Sequence, residues 1–177
     1  MKDTVLFIVN FSGQASPARL QHLAQVTHSH EGTWLTSKIN YLDEQVAGLI
    51  KLQCPTDSVD VIQRAFNEIE ELHVQFAQSE ITQHDEDDVY ELRFDSQERS
   101  GIIQDISLIL EREQAKILSI DTDRIFLADT QGVNATLFSS RFSITLPEQT
   151  NINDVIAELK AIACGVRIID LTDTTCK

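Results

Sequence analysis

The chain alternates apolar and polar positions near its start, and the same alternation returns 83 positions later. Three bulky apolar side chains stand two positions apart in each segment: Phe7, Val9 and Phe11 in the first, and Tyr90, Leu92 and Phe94 in the second. A period of two is typical of a half-buried β-strand. Because the register continues without gaps, the pattern predicts a duplicated unit.

The shift also superimposes two helical stripes. Apolar residues recur three positions apart in each copy: Leu20, Leu23 and Val26 in the first, and Ile103, Ile106 and Ile109 in the second. This spacing places them on one face of a helix. Further on, Trp34-Leu35-Thr36 aligns with Ile117-Leu118-Ser119, where a second strand is predicted to begin.

The remaining elements follow the same order in both copies. The first copy is predicted to have strands at 36–42 and 46–53, joined by a short polar turn at 43–45. The second has the matching strands at 118–126 and 137–146, with a longer connection through 129–132. Both third strands are expected to end at a proline, Pro55 or Pro147, because proline cannot donate to the ladder.

A second helix and a last strand complete each copy. Thr56, Asp57 or Ser58 can cap the first of these helices, and Asn151 or Asn153 the second. The expected buried faces are Val59, Ile62, Phe66 and Ile69 in the first copy, and Ile152, Val155, Ile156, Leu159 and Ile162 in the second. The last strands are predicted at 72–78 and 166–171, the latter after a helix end at Gly165.

The order β-α-β-β-α-β predicts an α+β protein with two ferredoxin-like domains, each an antiparallel four-stranded sheet with two helices on one face. We predict the domains at 1–80 and 89–172, an acidic linker at 81–88 and a loose tail at 173–177. The second face of each sheet has no cover of its own. We therefore expect the domains to pair or the chain to form a homo-oligomer.

Charge bears on the partner class. The chain has 28 acidic and 14 basic side chains, a formal net charge of −14. Nucleic-acid affinity depends largely on Lys and Arg at phosphates, and no basic run is present. We expect no direct nucleic-acid binding, so that a role in gene regulation would need a partner protein.

The three cysteines, Cys54, Cys164 and Cys176, are widely spaced and form no CxxC pair. The chain starts without a secretory leader pattern and has no apolar run near the length of a membrane span. We therefore expect a cytoplasmic protein with reduced thiols. Cys54 and Cys164 are predicted to pack in cores, and Cys176 to be exposed in the tail.

Candidate catalytic chemistry is sparse. His28, His30 and Glu31 form an H-x-H-E run, but positions i and i+2 point to different sides of a helix. His22 and His73 have no nucleophile beside them at an informative spacing. We predict no catalytic residues, no metal and no cofactor.

The loops after the first strands carry a family resemblance. They read Gly13-Gln14-Ala15-Ser16-Pro17-Ala18-Arg19-Leu20 and Ser96-Gln97-Glu98-Arg99-Ser100-Gly101-Ile102-Ile103. With the element order and the two copies, they make the chain resemble tandem ACT-domain regulatory proteins of the bacterial glycine cleavage repressor type. Ala18 stands where the family usually has glycine, and Ser100 where it has proline.

The resemblance implies a non-enzymatic regulator of amino-acid (glycine) metabolism that contacts a transcription activator protein and does not bind DNA itself. The alternative is a small-molecule sensor that binds an amino acid such as glycine at an ACT-type domain interface. The site residues implied are Asn10, Ser12 and Gln14 in the first copy, and Asp95, Gln97, Glu98, Gly101, Ile102, Ser119 and Asp121 in the second.

The loop enters a helix N-terminus, whose unpaired N–H groups can hold a carboxylate. The Cβ of Ala18 would narrow that approach, so the second copy is the better candidate. The same residues also suit an ordinary loop and helix cap.

Overall fold

The computed structural model describes residues 3–80, 88–129 and 132–172. It divides into two compact units, Met1–Gln83 and His84–Lys177. Residues 81–87 of the predicted linker and the predicted tail at 173–177 lie outside the described residues. The domain bounds therefore stay a prediction.

The first unit has the predicted six elements. They are β1 (Thr4–Gly13), α1 (Pro17–Ser29), β2 (Thr33–Leu42), β3 (Gln45–Pro55), α2 (Val59–Asn67) and β4 (Leu72–Gln78). A 3₁₀ turn at Thr56–Ser58 leads from β3 into α2. β3 ends at its proline, and β4 covers the range predicted for it.

The second unit repeats this order. Its elements are β5 (Val89–Gln97), α3 (Ile102–Arg112), β6 (Lys116–Asp129), β7 (Gly132–Thr145), α4 (Ile152–Ala161) and β8 (Arg167–Asp170). The side chain of Asn151 accepts a hydrogen bond from the N–H of Asn153, which confirms it as the cap of α4. The long connection predicted between β6 and β7 is wrong, because both strands extend further than expected. β6 continues to Asp129 and β7 begins at Gly132, and each has 14 residues.

Each unit contains one antiparallel four-stranded sheet. The strand orders are β2-β3-β1-β4 and β6-β7-β5-β8, so the two sheets have the same topology. Each helix connects two strands that are consecutive in the chain but are separated in the sheet by one other strand. The predicted fold class, two ferredoxin-like ACT-type domains, is confirmed.

Backbone irregularities also recur 83 positions apart. The ladder shifts register at Leu35 in β2 and at Leu118 in β6, where a β-bulge places one extra residue. After the first helix of each unit, Glu31 and Gln114 adopt left-handed angles, with φ of 59° and 54°. Non-glycine residues rarely adopt such angles. Their recurrence confirms the duplication.

Each unit buries one face of its sheet under its two helices. The central buried side chains are Phe7, Val9, Phe11, Leu23, Ile62 and Phe66 in the first unit, and Leu92, Phe94, Ile106, Leu110, Phe138, Val155 and Leu159 in the second. Cys54 is part of the first core, as predicted, and burial raises the pKa of its thiol. Cys164 is exposed instead, because α4 ends before it.

The helical stripe predicted for α3 was wrong at one position. Ile103 is 48% exposed, whereas Ile102 is buried. α1 begins at Pro17, but α3 begins at Ile102, two positions later in the shared register. Ile106 and Leu110 are buried at the positions that Leu23 and Thr27 hold in α1, so the two helices differ only in the first turn, where Ile102 is buried in place of Ile103.

No helix in the described parts of the chain combines the length and the apolar character that a membrane crossing requires.

Candidate functional site

The sheet face of the second unit that its helices leave open is rich in charge. Strand register places Asp121, Arg141 and Arg93 side by side in one row across the sheet. The next row contains Asp123, Ser139, Asp95 and Arg167. Alternate residues of a strand share a face, so all of these side chains lie opposite the core residues Leu92, Phe94, Phe138 and Phe142.

Asp95 is held in place on this face. Its Oδ1 accepts hydrogen bonds from Ser139 Oγ at 2.6 Å and from Arg93 Nε at 2.9 Å, and the side chain is only 13% exposed. Its Oδ2 makes no hydrogen bond within the described part of the chain. The carboxylate is thus fixed through one oxygen and keeps acceptor capacity on the other.

A cleft of about 510 Å³ opens at the edge of this face. It is lined by Asp95, Ser96, Gln97, Leu137, Cys164, Gly165 and Arg167. It forms because the ladder between β5 and β8 ends at the pair Asp95–Arg167. Gly165 has a φ of +79° and no heavy atom near the position of a Cβ, so the turn between α4 and β8 leaves this space open.

The first unit is closed at the corresponding place. The ladder between β1 and β4 continues to Gly13 and Leu72, and the N–H of Gln14 donates to the carbonyl of Glu71 at 3.0 Å. In the shared register Gln14 corresponds to Gln97, and the hydrogen bond to Glu71 lies two positions beyond the pair Ser12–His73, where the second unit has no strand pairing. The side chains of Arg19 and Glu71 form an ion pair over this junction.

Two open clefts flank that ion pair. One, of about 480 Å³, is lined by Gln14, Ala15, Ser16, Pro17, Arg19, Tyr41, Asp43, Glu44 and Glu71. The other, of about 550 Å³, is lined by Ala18, Arg19, His22, Ala65, Glu68, Ile69, Glu70 and Glu71. Ala18 lies inside α1, so this copy has no left-handed loop residue at that position.

The predicted site residues do not form one group. In the first unit, Asn10 and Ser12 lie on the open sheet face, while Gln14 lies beyond the strand end. In the second unit, the cleft brings Asp95 and Gln97 together. Ser119 and Asp121 are on the same open face but on β6, which β7 separates from β5.

The other three predicted residues have structural contacts. Glu98 pairs with Arg124 at 3.2 Å, and its Oε2 is buried without a hydrogen bond from the described residues. Gly101 precedes α3 with a φ of +82°. Ile102 is a core residue. These positions match the loop and helix-cap interpretation.

Five cleft residues were missed by the sequence analysis: Ser96, Leu137, Cys164, Gly165 and Arg167. The last three come from the turn before β8 and from the first residue of β8, far from β5 in the chain. The sequence did contain a signal, since Gly165 indicates a turn and Arg167 places a charged side chain directly after it. Only the pairing of β8 with β5 shows that this turn lies beside the end of β5.

Comparison with known proteins rests on structure. No protein-family model matches the chain, and no curated protein sequence matches it. Among crystal structures, an unknown protein from Galdieria sulphuraria has a TM-score of 0.79 at 16% identity, over 95% of this chain and 98% of that one. A proposed glycine cleavage system transcriptional repressor has a TM-score of 0.65 at 11% identity, over 94% and 98%.

The chain has the tandem ACT-type fold. At these identities the similarity concerns the fold alone, so the chemistry of the site must be argued from the residues of this chain. The open cleft of the second ACT-type unit contains two charged side chains of this kind. The carboxylate of Asp95 is held by Arg93 and Ser139, and Arg167 makes no ion pair in the described part of the chain.

Within residues 3–80, 88–129 and 132–172, no three His, Cys, Asp or Glu side chains gather into a possible metal site. His30, one of the H-x-H-E residues at the end of α1 in the first ACT-type unit, has its Nδ1 2.9 Å from the carbonyl oxygen of Val26.

The ion pair over the closed junction gives a pH prediction. The side-chain hydrogen bond from Arg19 lowers the pKa of Glu71 below its usual value. A lowered pKa stabilises the folded unit above the pKa of the unfolded chain, and this contribution is lost as pH falls through the folded pKa. Arg19→Gln should therefore raise the pKa of Glu71, as measured by NMR titration of its side-chain carboxyl. An unchanged pKa in this variant would contradict the assignment.

Proposed function

We propose that this ACT-type chain is a non-catalytic regulator that acts by contact with another protein. The observation that carries the proposal is the free edge of β6, which pairs only with β7 among the described strands. Five of its apolar side chains are 40% or more exposed: Ile117, Ile120, Ile125, Phe126 and Leu127. Natural proteins usually shorten or cover such edges, because an extended segment of another chain can pair with them.

The charges on this edge indicate what kind of segment it fits. Asp121 and Asp123 stand among the exposed apolar residues of β6, and the whole chain is strongly acidic. A second copy of β6 paired symmetrically about residues 121 to 123 would oppose these aspartates to one another, which is unfavourable. An extended segment with alternating basic and apolar side chains suits the edge better.

We propose a role in transcription through this contact. The structural neighbour described as a glycine cleavage repressor has the same fold over nearly its whole length, which supports this assignment. The charge of −14 supports a regulator that reaches DNA only through a partner. The partner we propose is a transcription activator of amino-acid, in particular glycine, metabolism.

This proposal is tested with the purified chain and the activator of glycine cleavage genes from the same cell. We expect binding in biolayer interferometry, and a double variant Ile120→Ser/Phe126→Ser should weaken it at least about tenfold, as for central apolar contacts. Leu42→Ser is the matched control. Leu42 lies on β2, the corresponding edge strand of the first unit, and is 78% exposed.

Two outcomes would contradict the proposal. One is equal affinity of the double variant and wild type. The other is tight binding of the chain alone to promoter DNA at low salt, where electrostatic attraction is strongest.

The second candidate function is an amino-acid sensor, and one observation favours it. The cleft of the second unit carries both a carboxylate and a guanidinium at its rim, whereas the first unit is closed at that place. Thermal shift against the common amino acids tests it, since a ligand at a hundredfold excess over its Kd stabilises by about 2.7 kcal/mol. A flat response at millimolar concentrations would argue against sensing.

A further inference from the structure

We propose that the open face of the second sheet binds a phosphate-bearing metabolite with more than one negative charge, held by Arg93, Arg141 and Arg167. These three side chains form the arginine cluster, which spans β7, β5 and β8. The site goes beyond the proposed function, because it lies on the face of the sheet and not on the edge of β6, and because its ligand is neither a protein nor an amino acid.

The ion pairs of the chain single out two members of this cluster. The chain has 28 acidic and 14 basic side chains, so most arginines have a carboxylate within reach. Ion pairs within the described residues are formed by Arg19, Arg93, Arg99, Arg112 and Arg124. The arginines without an ion pair in that part of the chain are Arg64, Arg141 and Arg167. The last two lie on either side of Arg93.

Two members of the cluster repel each other. Arg93 and Arg141 are directly opposite in the ladder between β5 and β7. Like charges at such positions, with Cβ atoms about 4.5–5.5 Å apart, are destabilising. Arg93 donates from Nε to Asp95 at 2.9 Å, and its two terminal nitrogens make no hydrogen bond within the described residues. An anion that bridges the two guanidinium groups would offset this repulsion.

Arg167 extends the positive charge to the next strand. It is paired with Asp95 in the ladder between β5 and β8, diagonal to Arg93. Because neighbouring strands lie about 4.7–4.9 Å apart, Arg141 and Arg167 are separated by about 10 Å across the sheet. A diphosphate group carries charge at two points and can engage both sides of the cluster. The planar guanidinium fork also matches phosphate oxygens well.

The carboxylates of this face leave the cluster accessible. Asp95 is held by the hydrogen bonds described above, and Glu91 accepts a hydrogen bond from Ser143 Oγ. The other two carboxylates of the face among the described residues, Asp121 and Asp123, lie on β6 at the edge of the sheet. The carboxylates without a partner and the arginine cluster are therefore on different strands.

The first unit provides an internal comparison. In place of the three arginines it has Asn10, Leu49 and His73, at the same positions of the same ladders. None of these supplies a guanidinium, so the inference assigns one phosphate site per chain, in the second unit. Three arginines suit a small ligand, whereas binding to a nucleic-acid backbone depends on a larger number of such contacts.

Isothermal titration calorimetry of the full chain tests the site. Pyrophosphate is titrated at low ionic strength without divalent metal ions, because salt screens exposed charges. Inorganic phosphate and citrate are the comparison probes, since one has a single phosphate group and the other carries several carboxylates. We expect pyrophosphate to bind about tenfold more tightly than inorganic phosphate, which lacks the second charged contact, and also more tightly than citrate.

Variants locate the site. Arg141→Gln and Arg167→Gln should each weaken pyrophosphate binding about tenfold, the usual effect of removing a charged hydrogen-bond partner. Arg64→Gln is the matched control. Arg64 is an exposed arginine on α2 of the first unit and makes no ion pair with the described residues. This variant loses the same charge outside the site and should bind within about twofold of wild type.

Asp121 allows a change in the opposite direction. It is paired with Arg141 in the ladder between β6 and β7, yet the two side chains form no ion pair. Its negative charge repels an anion bound to the cluster. Asp121→Asn should therefore tighten pyrophosphate binding about two- to fivefold, the range measured for exposed charge pairs. A purely structural role of the arginines would not produce this gain.

The inference is overturned if pyrophosphate does not bind at millimolar concentration, if citrate binds equally well, or if Arg64→Gln weakens binding as much as Arg141→Gln. Near-UV circular dichroism of each variant separates loss of the site from loss of the fold. Affinity for the activator, changed by the β6 variants, is an independent readout. Failure of the phosphate site would leave that result standing, and the reverse also holds.

Discussion

Replacing Gly13 by alanine should destabilise the first unit by about 3 kcal/mol, from overpacking together with a disfavoured backbone conformation. A Cβ at this position would lie 1.9 Å from the carbonyl oxygen of Glu71, and the φ of Gly13 is +147°. Both conflicts are with backbone, which cannot move aside without breaking the hydrogen bond from Gln14 to Glu71.

Thermal unfolding measures this effect. For a unit of this size, about 3 kcal/mol corresponds to a fall in Tm of roughly 12–24 °C. Gly101→Ala is the matched control. Gly101 also has a positive φ, +82°, but no heavy atom lies within 4 Å of the added Cβ. It should cost only about 1 kcal/mol. Equal losses in the two variants would show that the contact with Glu71 does not close the first unit.

Replacing Phe94 by alanine should destabilise the second unit by about 3–5 kcal/mol, the usual cost of deleting a buried aromatic ring. Phe94 is fully buried on β5, directly behind the open face that carries Asp95. Its ring meets that of Phe138 edge-on, with centroids 6.1 Å apart. Truncation removes this contact and leaves a cavity between the sheet and the helices.

Chemical denaturation of the second unit measures this loss, and Phe126→Ala is the matched control. Phe126 is 66% exposed on β6, so its truncation should change stability by no more than about 0.5 kcal/mol. The control also bears on the partner assay. If truncation of Phe126 leaves the second unit folded, then weaker activator binding by a Phe126 variant reflects loss of the contact between Phe126 and the activator. A large loss of stability in Phe126→Ala would contradict the edge described for β6.

The two copies differ where function is proposed. They have the same topology, the same bulge and the same left-handed residue after the first helix. At the end of the first strand, however, Glu71 closes the first unit and Gly165 leaves the second open. We infer that the first copy retained a structural role there, whereas the second can accept a ligand.

The elements were predictable because their signals are local. The range of β4 and the cap of α4 at Asn151 follow from a few neighbouring side chains, whose spacing and hydrogen-bonding capacity are written directly in the chain. The exposed Ile103 and the exposed Cys164 were not predictable in this way. Each lies at a helix end, Ile103 in the first turn of α3 and Cys164 after the end of α4, and helix ends are the positions that sequence patterns define least well.

The candidate site was predictable only in part. The loop motif led to Asp95 and Gln97, which do line the cleft, but also to Ile102, which lies in the core. Arg167 and Gly165 carry no motif, and they join the site only through the pairing of β8 with β5. The resemblance also implied Ser119 and Asp121 on the following strand, yet β7 lies between that strand and β5, whose end borders the cleft.

The duplicated unit, the order of its elements and the excess of acidic residues could be predicted from the chain, because periodicity and charge are properties of neighbouring positions. The strand beside β5, the closure of the first unit by Glu71, and the pairing of Asp95 with Arg167 without an ion pair became visible only in the folded sheets. These features depend on residues far apart in the chain, and only the paired sheet brings such residues together.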